Sequence, residues 1–560
     1  MSAPTLALPL VYTASRYQYR RRRAREVQIG SVAVGGNQPI RVQSMTTTRT
    51  QDLDATVAQT VRLVDVGCEI VRITAPTVTD AKAIGEIRRR LRARGIQVPL
   101  VADIHFSPAA ALEAAEHVEK VRINPGNFAD QKLFRVREYE NHEYRAELER
   151  IEERFTPLVR KCKQLGVAMR IGSNHGSLSD RILNRFGDTP RGMVESALEF
   201  VRIAARNDYH DIVLSMKASN AKVMIQAYRL LVARMDEEGL EPYPLHLGVT
   251  EAGLGEDGRI KSAVGIGALL DDGLGDTVRV SLTEEPEAEI PVAQRLVAPY
   301  DAGLPAARTD LCGPVERIDP YDYARRPSRA VSLGPIEVGT SQPVAVLEPP
   351  EAAGRKGPLD LTGLVTLTPP PPWWDAVRAY RARAAEMALA GDMRPLHLAI
   401  GVPSTDEEEV LLRTASALGS LLCDGLGDSV GLAAPLDNET RERLLFGVLQ
   451  GSGARITRTE YVSCPSCGRT LFDLQATTER IRSKTSHLQG VKIAIMGCVV
   501  NGPGEMADAD FGYVGGSPGH VNLYVGKDLV ERTVPEAEAD ERLAALIRQR
   551  GRWAEPPEGA

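Results

Sequence analysis

The chain has 560 residues, 43% of them hydrophobic and 25% charged, which is the composition of a globular protein and not of a disordered or fibrous one. A formal net charge of −6 gives no general attraction to nucleic acid, and no apolar run approaches the length of a membrane-spanning helix. The length predicts about three domains.

Residues 1–26 read as a flexible basic tail. They hold no acid before Glu26 and carry Arg20 to Arg23 in a row. A secretory signal would put its basic residues ahead of the apolar run, but here LALPLVY comes first. A plastid-type transit peptide fits the acid-poor composition better, and a plain tail leading into the first domain is the reading adopted.

From 27 to 290, short apolar runs alternate with amphipathic stretches, the pattern of a parallel α/β domain. Eight runs read as strands: PIRVQSM from Pro39, IVRIT from Ile70, VPLVADIH from Val98, KVRIN from Lys120, VAMRIGSN from Val167, IVLSMKAS from Ile212, PLHLGVTEAG from Pro244 and TVRVSL from Thr277. Between them, stretches such as 52–66, 78–94, 107–117, 191–206 and 219–237 repeat apolar residues at helical spacing. Eight such units in about 260 residues predict a TIM barrel.

Nearly every strand ends in a charge or an amide: Arg72, then Asp103 and His105, Arg122 and Asn124, Arg170 and Asn174, Lys217, Glu251, and Arg279 and Ser281. Residues two apart on a strand share a face, and in a barrel these positions crowd the C-terminal mouth, where active sites lie. One such residue is ordinarily solvated or salt-bridged. Seven strands ending this way are hard to explain as structure, because burying an unpaired charge costs several kcal/mol. Five cations face Asp103 and Glu251, so the mouth is net positive in a net negative protein. It suits a small polyanion, since guanidinium forks match phosphate oxygens. A charge-balanced mouth for a sugar or carboxylate is the alternative.

Residues 291–455 form a separate segment. Its first part, within 285–372, is Pro-rich, with LEPPEAAGRKGP and the run Pro369 to Pro372, and reads as irregular or linker-like. Helices are predicted near 375–391 and 405–420, the second with Thr405 and Glu408 placed as a capping box. LLCDGLGDSV at 421–430 nearly copies LLDDGLGDTV at 269–278, and PLHL recurs at 395–398 and 244–247 in the same order. This predicts a partial duplicate of the barrel's last units. The chemistry is not copied: Gly431 replaces Arg279, Ala433 replaces Ser281, and Gly401, Val402 and Pro403 stand where Glu251 would fall. The insert is therefore predicted to be catalytically silent. GLGEDG near Gly253 lacks the strand–helix setting of a dinucleotide loop, so no nicotinamide site is expected.

Residues 456–560 read as a small α+β domain: a strand at Thr459 to Val462, a helix at 469–487, a strand at Val491 to Met496, strands near 511–514 and 521–526, and a charged helix at 537–550. It holds CPSC, with Cys464 and Cys467, and MGCVVNGPGE, with Cys498 and Glu505. The other four cysteines, Cys68, Cys162, Cys312 and Cys423, lie singly upstream. A disulfide is the weakest reading, because nothing else points to an oxidising compartment. A Cys3His zinc site is open, with His487 or His520 as fourth ligand. An iron–sulfur cluster is the third reading. In its favour, the Gly/Pro-rich turn after Cys498 lets backbone N–H groups approach sulfur and brings back a carboxylate that iron would hold weakly and could exchange for a substrate oxygen.

At CPSCGRT, IMGCVVNGPGE, VRIT, LVADIHF, VRINPGN, RIGSNHGS, SMKAS, GVTEAG and GDTVRVSL the chain resembles the 4-hydroxy-3-methylbut-2-enyl diphosphate synthase family of non-mevalonate isoprenoid biosynthesis, over about 27–290 and 456–530. The middle insert resembles the long forms of that family. The resemblance implies a cytoplasmic oxidoreductase acting on CH or CH2 groups, which opens and dehydrates 2-C-methyl-D-erythritol 2,4-cyclodiphosphate. It implies a [4Fe-4S] cluster on Cys464, Cys467, Cys498 and Glu505. By the same match Arg72, Arg122, Arg170, Lys217 and Arg279 would hold the diphosphate, with hydrogen bonds from Asn124, Asn174 and Ser281. Asp103 and His105 would sit at the reacting end, and Glu251 would supply or relay a proton. Ferredoxin or flavodoxin would deliver electrons. In two-domain members a dimer brings one chain's cluster to the other's barrel; the insert would let one chain close on itself, as a monomer or within a homodimer. A zinc-stabilised phosphoanion-binding barrel and a cluster-dependent reductase of another phosphorylated substrate are the alternatives.

Overall fold

The structure, a computed structural model, describes residues 11–130, 139–305, 319–347, 361–499, 502–506 and 508–555. Its first unit is a barrel of eight parallel strands: β1 Arg41–Met45, β2 Ile70–Thr74, β3 Leu100–Asp103, β4 Lys120–Ile123, β5 Ala168–Asn174, β6 Ile212–Lys217, β7 His246–Leu247 and β8 Thr277–Val278. They pair in sequence order, β8 pairs with β1, and a bridge from Leu214 to Leu245 closes the ring. The register aligns Thr74 with Asp103, Asp103 with Arg122, Arg122 with Arg170, and Asn174 with Lys217. Polar strand ends far apart in sequence thus become neighbours at one level of the mouth. The opposite end is plugged by a hairpin, Val27–Ile29 with Val32–Val34, whose Val27, Ile29 and Val34 pack on Ile70, Val101, Ala168 and Val213. With the floor apolar, the charges have only the mouth to face.

Residues 11–26 correct the expectation of a loose tail. Arg22 N donates to Gly273 O at 2.8 Å, Arg25 N to Pro242 O at 2.8 Å, and Arg21 Nη1 to Gln38 O at 2.7 Å. The basic run lies along carbonyls that helix ends and loops leave unpaired at the barrel floor, which is why it is ordered. The barrel also runs past 290. Helix Glu289–Asp301 completes the eighth unit, so the expected boundary falls inside an element.

The insert is half a barrel. Strands β9 Ala345–Val346, β10 His397–Gly401 and β11 Ser429–Ala433 pair in parallel in the order β9-β11-β10, and Val365 bridges Leu396 beyond β10. This repeats the barrel's order β1-β8-β7-β6. A second hairpin, Val331–Leu333 with Ile336–Val338, precedes it, and Arg326 N donates to Gly425 O at 2.8 Å just as Arg22 meets Gly273. The copy therefore contains the first unit as well as the last ones. Helix Glu407–Cys423 starts one residue later than the predicted box: Asp406 is the N-cap and accepts from Glu409 N at 3.2 Å, so Thr405 has no capping role. Most of LEPPEAAGRKGP lies outside the described residues.

The two copies meet across an approximate twofold axis. Helices Gly255–Asp271 and Glu407–Cys423 pack so closely that a Cβ on Gly267 would come within 2.4 Å of Ser416 Oγ, and one on Gly419 within 2.5 Å of Val264. Beside them lies a buried square of charges. Arg229 reaches Asp272 at 2.8 Å and Asp424 at 2.7 Å; Arg381 reaches Asp424 at 2.8 Å and Asp272 at 2.7 Å.

The last unit is a five-stranded sheet, β12 Glu460–Ser463, β13 Lys492–Met496, β14 Phe511–Ser517, β15 His520–Val525 and β16 Asp528–Pro535, in sequence order. The first three strands are parallel and the rest antiparallel. Strand β16 has no counterpart in the sequence reading, because its charged, mostly solvent-facing run is that of an edge strand. The predicted helix at 469–487 begins only at Leu474, capped by Asp473, which leaves 464–473 as the loop that carries two cysteines. Among the described residues no helix is long and apolar enough to cross a membrane.

Candidate active site

The barrel mouth and the cysteine loops of the last unit face each other across one cavity. It is lined by Arg72, Asp103, His105, Arg122, Arg170, Asn174, Lys217, Glu251, Arg279 and Ser281 from the barrel, and by Cys464, Cys467 and Cys498 from the other side. Several contacts lock the two sides together. Ala252, after β7, bridges Ser463 at the end of β12, and Thr283 Oγ1 lies 2.8 Å from Ser463 Oγ. Lys261 pairs with Glu460 at 2.9 Å, and Asp257 takes Arg458 and Arg482. The turns His175–Ser177 and Gly502–Glu505 interlock backbone to backbone: a Cβ on Gly504 would fall 1.6 Å from Gly176 O.

The cations crowd one another. Arg72 is lowered to about 10, first by burial, with Arg279 and Arg122 adding to it and Asp103 opposing. Burial and the same neighbours hold Arg170 and Lys217 well below their ordinary values. Nε of Arg72 and of Arg122, and Nε and Nη1 of Arg170, are buried without a hydrogen-bond partner. Unpaired cationic donors around one space are suited to an anion. Arg279 differs: its fork is taken by the buried Glu289, with both bonds at 2.9 Å. It lines the cavity but is already half neutralised, so the pocket is less positive than the sequence count implies.

Two acidic groups and a histidine have distinct settings. Although burial alone would raise it, Arg122 and Arg72 hold the Asp103 carboxyl well below the usual range. Burial, helped by Arg469 and Arg122, lowers His105 to about 3, so its ring is neutral. Arg122 Nη1 donates to His105 Nε2 at 2.6 Å, which leaves the proton on Nδ1, an atom with no partner. Glu251 is raised by burial, although Thr250, Lys217 and Arg279 oppose the shift. Its φ of 50° lies in the left-handed region, a strained backbone for a glutamate, and its Oε2 is unpartnered.

The three cysteines on the other side are half-buried. Gly497 N donates to Cys464 Sγ at 3.3 Å. Burial still pushes the Cys464 thiol up, and Glu251, Cys467 and Cys498 add to the rise. None of the three thiols is in a disulfide. Glu505 is buried but is not itself among the residues that line the cavity; it accepts from two that do, Asn174 Nδ2 at 3.1 Å and Thr250 Oγ1 at 3.3 Å. Among the described residues no three His, Cys, Asp or Glu side chains close around a single ion. His487 Nε2 contacts Ala554 O at 2.8 Å and His520 Nδ1 contacts Pro518 O at 3.1 Å, so both histidines are occupied elsewhere.

Asn124 is not brought to the cavity. Pro125 starts a short helix directly after it, and its Nδ2 turns to Ser177 Oγ at 2.7 Å. The liners that were not expected from the sequence include Met45, whose Sδ accepts from Arg72 Nη2 at 2.8 Å, Thr250, and Arg469. Thr250 sits beside Glu251 on the same strand end and was legible; Arg469 lies in an aperiodic loop.

A family model described as the GcpE TIM-barrel domain matches residues 24–294, and one described as the GcpE protein C-terminal domain matches 460–549. The chain belongs to the GcpE family. Relatives run across the insert too. A protein of Akkermansia muciniphila named 4-hydroxy-3-methylbut-2-en-1-yl diphosphate synthase (flavodoxin) is 52% identical over 97% of this chain and 99% of its own length. One from Leptospira interrogans with the same name is 43% identical over 97% and 99%. The chloroplastic Arabidopsis thaliana protein, named as the ferredoxin form, is 42% identical over 99% and 91%. The two GcpE models flank the half-barrel, so this chain is a GcpE protein with a third unit between the two that the models describe.

Proposed function

We propose that this chain converts 2-C-methyl-D-erythritol 2,4-cyclodiphosphate to 4-hydroxy-3-methylbut-2-enyl diphosphate, taking up two electrons and two protons and releasing water. The observation that carries this reading is the shared cavity, with anion-binding cations on one wall and three cysteines on the other. The donor set fits a [4Fe-4S] cluster: three half-buried thiols line one cavity, and the buried Glu505 is held by Asn174 and Thr250, which line the same cavity. Four irons take their ligands on separate corners, whereas one zinc ion would need the ligands drawn together. When bound on Cys464, Cys467, Cys498 and Glu505, the cluster supplies the electrons one at a time.

The chain's own residues do the rest. Arg72, Arg122, Arg170 and Lys217 bind the phosphoryl oxygens, and Ser281 and Asn174 add neutral bonds. Glu251 holds a proton at Oε2 that a departing hydroxyl needs to leave as water, a role suited to a carboxyl whose pKa burial has raised. His105, a neutral ring, offers its Nδ1–H as a hydrogen bond and not as a proton source, and Asp103 fixes Arg122 at 2.8 Å. Asn174 and Thr250 hold Glu505 in place. The closed wall excludes water from a reduced substrate. Electrons come from flavodoxin or ferredoxin, and a reducing cytoplasm is the compartment that keeps such thiols available.

Anaerobic turnover of the cyclic diphosphate with a reduced viologen dye tests the reading directly. Purified protein should be brown with broad visible absorbance, and Cys498→Ser should lose both colour and turnover. A colourless wild type, or full activity in Cys498→Ser, refutes it.

A further inference from the structure

Arg469 has no part in the mechanism above, yet it stands where the two walls meet. Its side chain is 15% exposed, and its two ends reach different units. Nε donates to Cys467 Sγ at 3.3 Å, while Nη2 lies 3.7 Å from Asp103 Oδ2 in the barrel. The other oxygen of Asp103 takes Arg122 Nη1 at 2.8 Å. Arg122 Nη2 donates to Asn174 Oδ1 at 3.2 Å, and Asn174 Nδ2 donates to Glu505 Oε1 at 3.1 Å. One unbroken file of polar contacts therefore starts at Cys467, passes through the anion pocket and ends at Glu505. The hydrogen bond on Cys464 differs, since its donor is the backbone N–H of Gly497 and not a side chain that also reaches the barrel.

We propose that Arg469 is a positioning residue that couples the sulfur of Cys467 to the anion pocket, so that filling the pocket changes the reduction potential of the cluster. This rests on the reading that Cys467 is a cluster ligand. Hydrogen bonds and positive charge at a ligand sulfur stabilise the reduced, more negative cluster and raise its potential. A diphosphate claims the N–H groups of Arg122 for itself. Asp103 then loses its closest partner and is left with the remaining cations, of which Arg469 is the one that also holds Cys467. The guanidinium is suited to this because one rigid fork serves two acceptors at once; lysine keeps the charge but cannot hold both.

The experiment is a redox titration of the cluster-loaded full-length protein, followed by electron paramagnetic resonance, with and without inorganic diphosphate. Linkage sets the scale: an anion that binds the two redox states with a tenfold difference in affinity moves a one-electron midpoint by about 59 mV. The wild type should show a clear shift with diphosphate. R469M should have a lower midpoint than the wild type without the anion, and most of its anion-dependent shift should be gone. R469K should restore the midpoint and not the shift, which separates positioning from charge. If R469M fails to load iron, R469K carries the test alone, because it keeps the charge that faces the thiolate. A wild type without an anion-dependent shift, or variants with the wild-type shift, overturns the proposal. A wild type that takes up no cluster overturns the cofactor reading, and the proposal with it.

Discussion

Among single residues, the deciding fact is an excess of unpaired cationic donors in a small buried space. Arg122 is the most connected of them, bonded to Asp103, His105, Gly172 O and Asn174. Arg122→Ala should weaken binding of the cyclic diphosphate by roughly 1.5–3 kcal/mol for each charged hydrogen bond lost. Cluster absorbance should stay unchanged, because among the described residues Arg122 has no hydrogen bond to a cysteine. Calorimetric titration with the substrate, beside a visible spectrum, checks both halves. Lys217 gives a pH-dependent counterpart. Burial and Arg72, Arg170, Arg279 and Arg122 depress it in the empty pocket, and a bound polyanion reverses the crowding that its neighbours impose. The sign follows: the free site has lost protons that the bound site keeps. Binding should take up protons, and affinity should fall as pH rises toward the ordinary lysine range. Calorimetry of cyclic-diphosphate binding in two buffers of different ionisation enthalpy, at about pH 8–10 where its esterified phosphates do not titrate, reads the uptake. A release of protons would contradict it.

For whole elements, the turns decide whether the walls meet. The helix Gly502–Glu505 carries the candidate ligand Glu505, and it is seated against His175–Ser177 by the contact of Gly176 with Gly504. A Cβ on Gly176 would come 2.4 Å from Glu505 N, and the obstacle is backbone that cannot swing away. Gly176→Ala should therefore hold the units apart, with turnover down by an order of magnitude or more and diphosphate affinity of the barrel retained. Equal losses in both would mean that the turn serves the barrel alone. This scale also shows what the sequence made legible. Strand ends announce themselves, because a period of two puts Asp103, Arg122, Arg170 and Lys217 on the inner face, and barrel register then aligns them. Asn124 obeys the same period on paper, but Pro125 ends the strand and turns it away. The first unit of the insert went unread although its signal is present: Gly30, Val34, Gly35, Gln38 and Pro39 recur as Gly334, Val338, Gly339, Gln342 and Pro343. Those residues specify a hairpin and its exit, and a search for copied chemistry passes over them. Arg469 had no periodicity to betray it, and its partner Asp103 is brought near only by tertiary closure.

Across the whole molecule, every wall of the cavity comes from one chain. The half-barrel is seated on the barrel through the paired helices Gly255–Asp271 and Glu407–Cys423 and through the square of Arg229, Asp272, Arg381 and Asp424. Those four charges are fully buried, and removing one partner from such a set typically costs about 3–5 kcal/mol, so the arrangement resists reorientation. A fixed half-barrel then sets where the chain leaves it, from helix Asn438–Gly451 into β12, which lies over the mouth of the same chain's barrel. This is the geometric content of the expectation that the insert lets one chain close on itself. It can be decided by mixing two variants, Arg122→Ala in the barrel, assayed at a substrate concentration too low to fill its weakened site, and Cys498→Ser in the last unit. If one chain provides both walls, the mixture should remain as inactive as its components after partial unfolding and refolding together, and wild-type activity per chain should not fall on dilution. If the last unit instead serves a neighbouring barrel, a mixed pair has one intact site, and about a quarter of wild-type activity should return in a random mixture of dimers. Sedimentation of the same mixture shows whether pairs were present to exchange, so that silence from separated monomers and silence from self-contained dimers both count for closure within the chain, and recovered turnover counts against it.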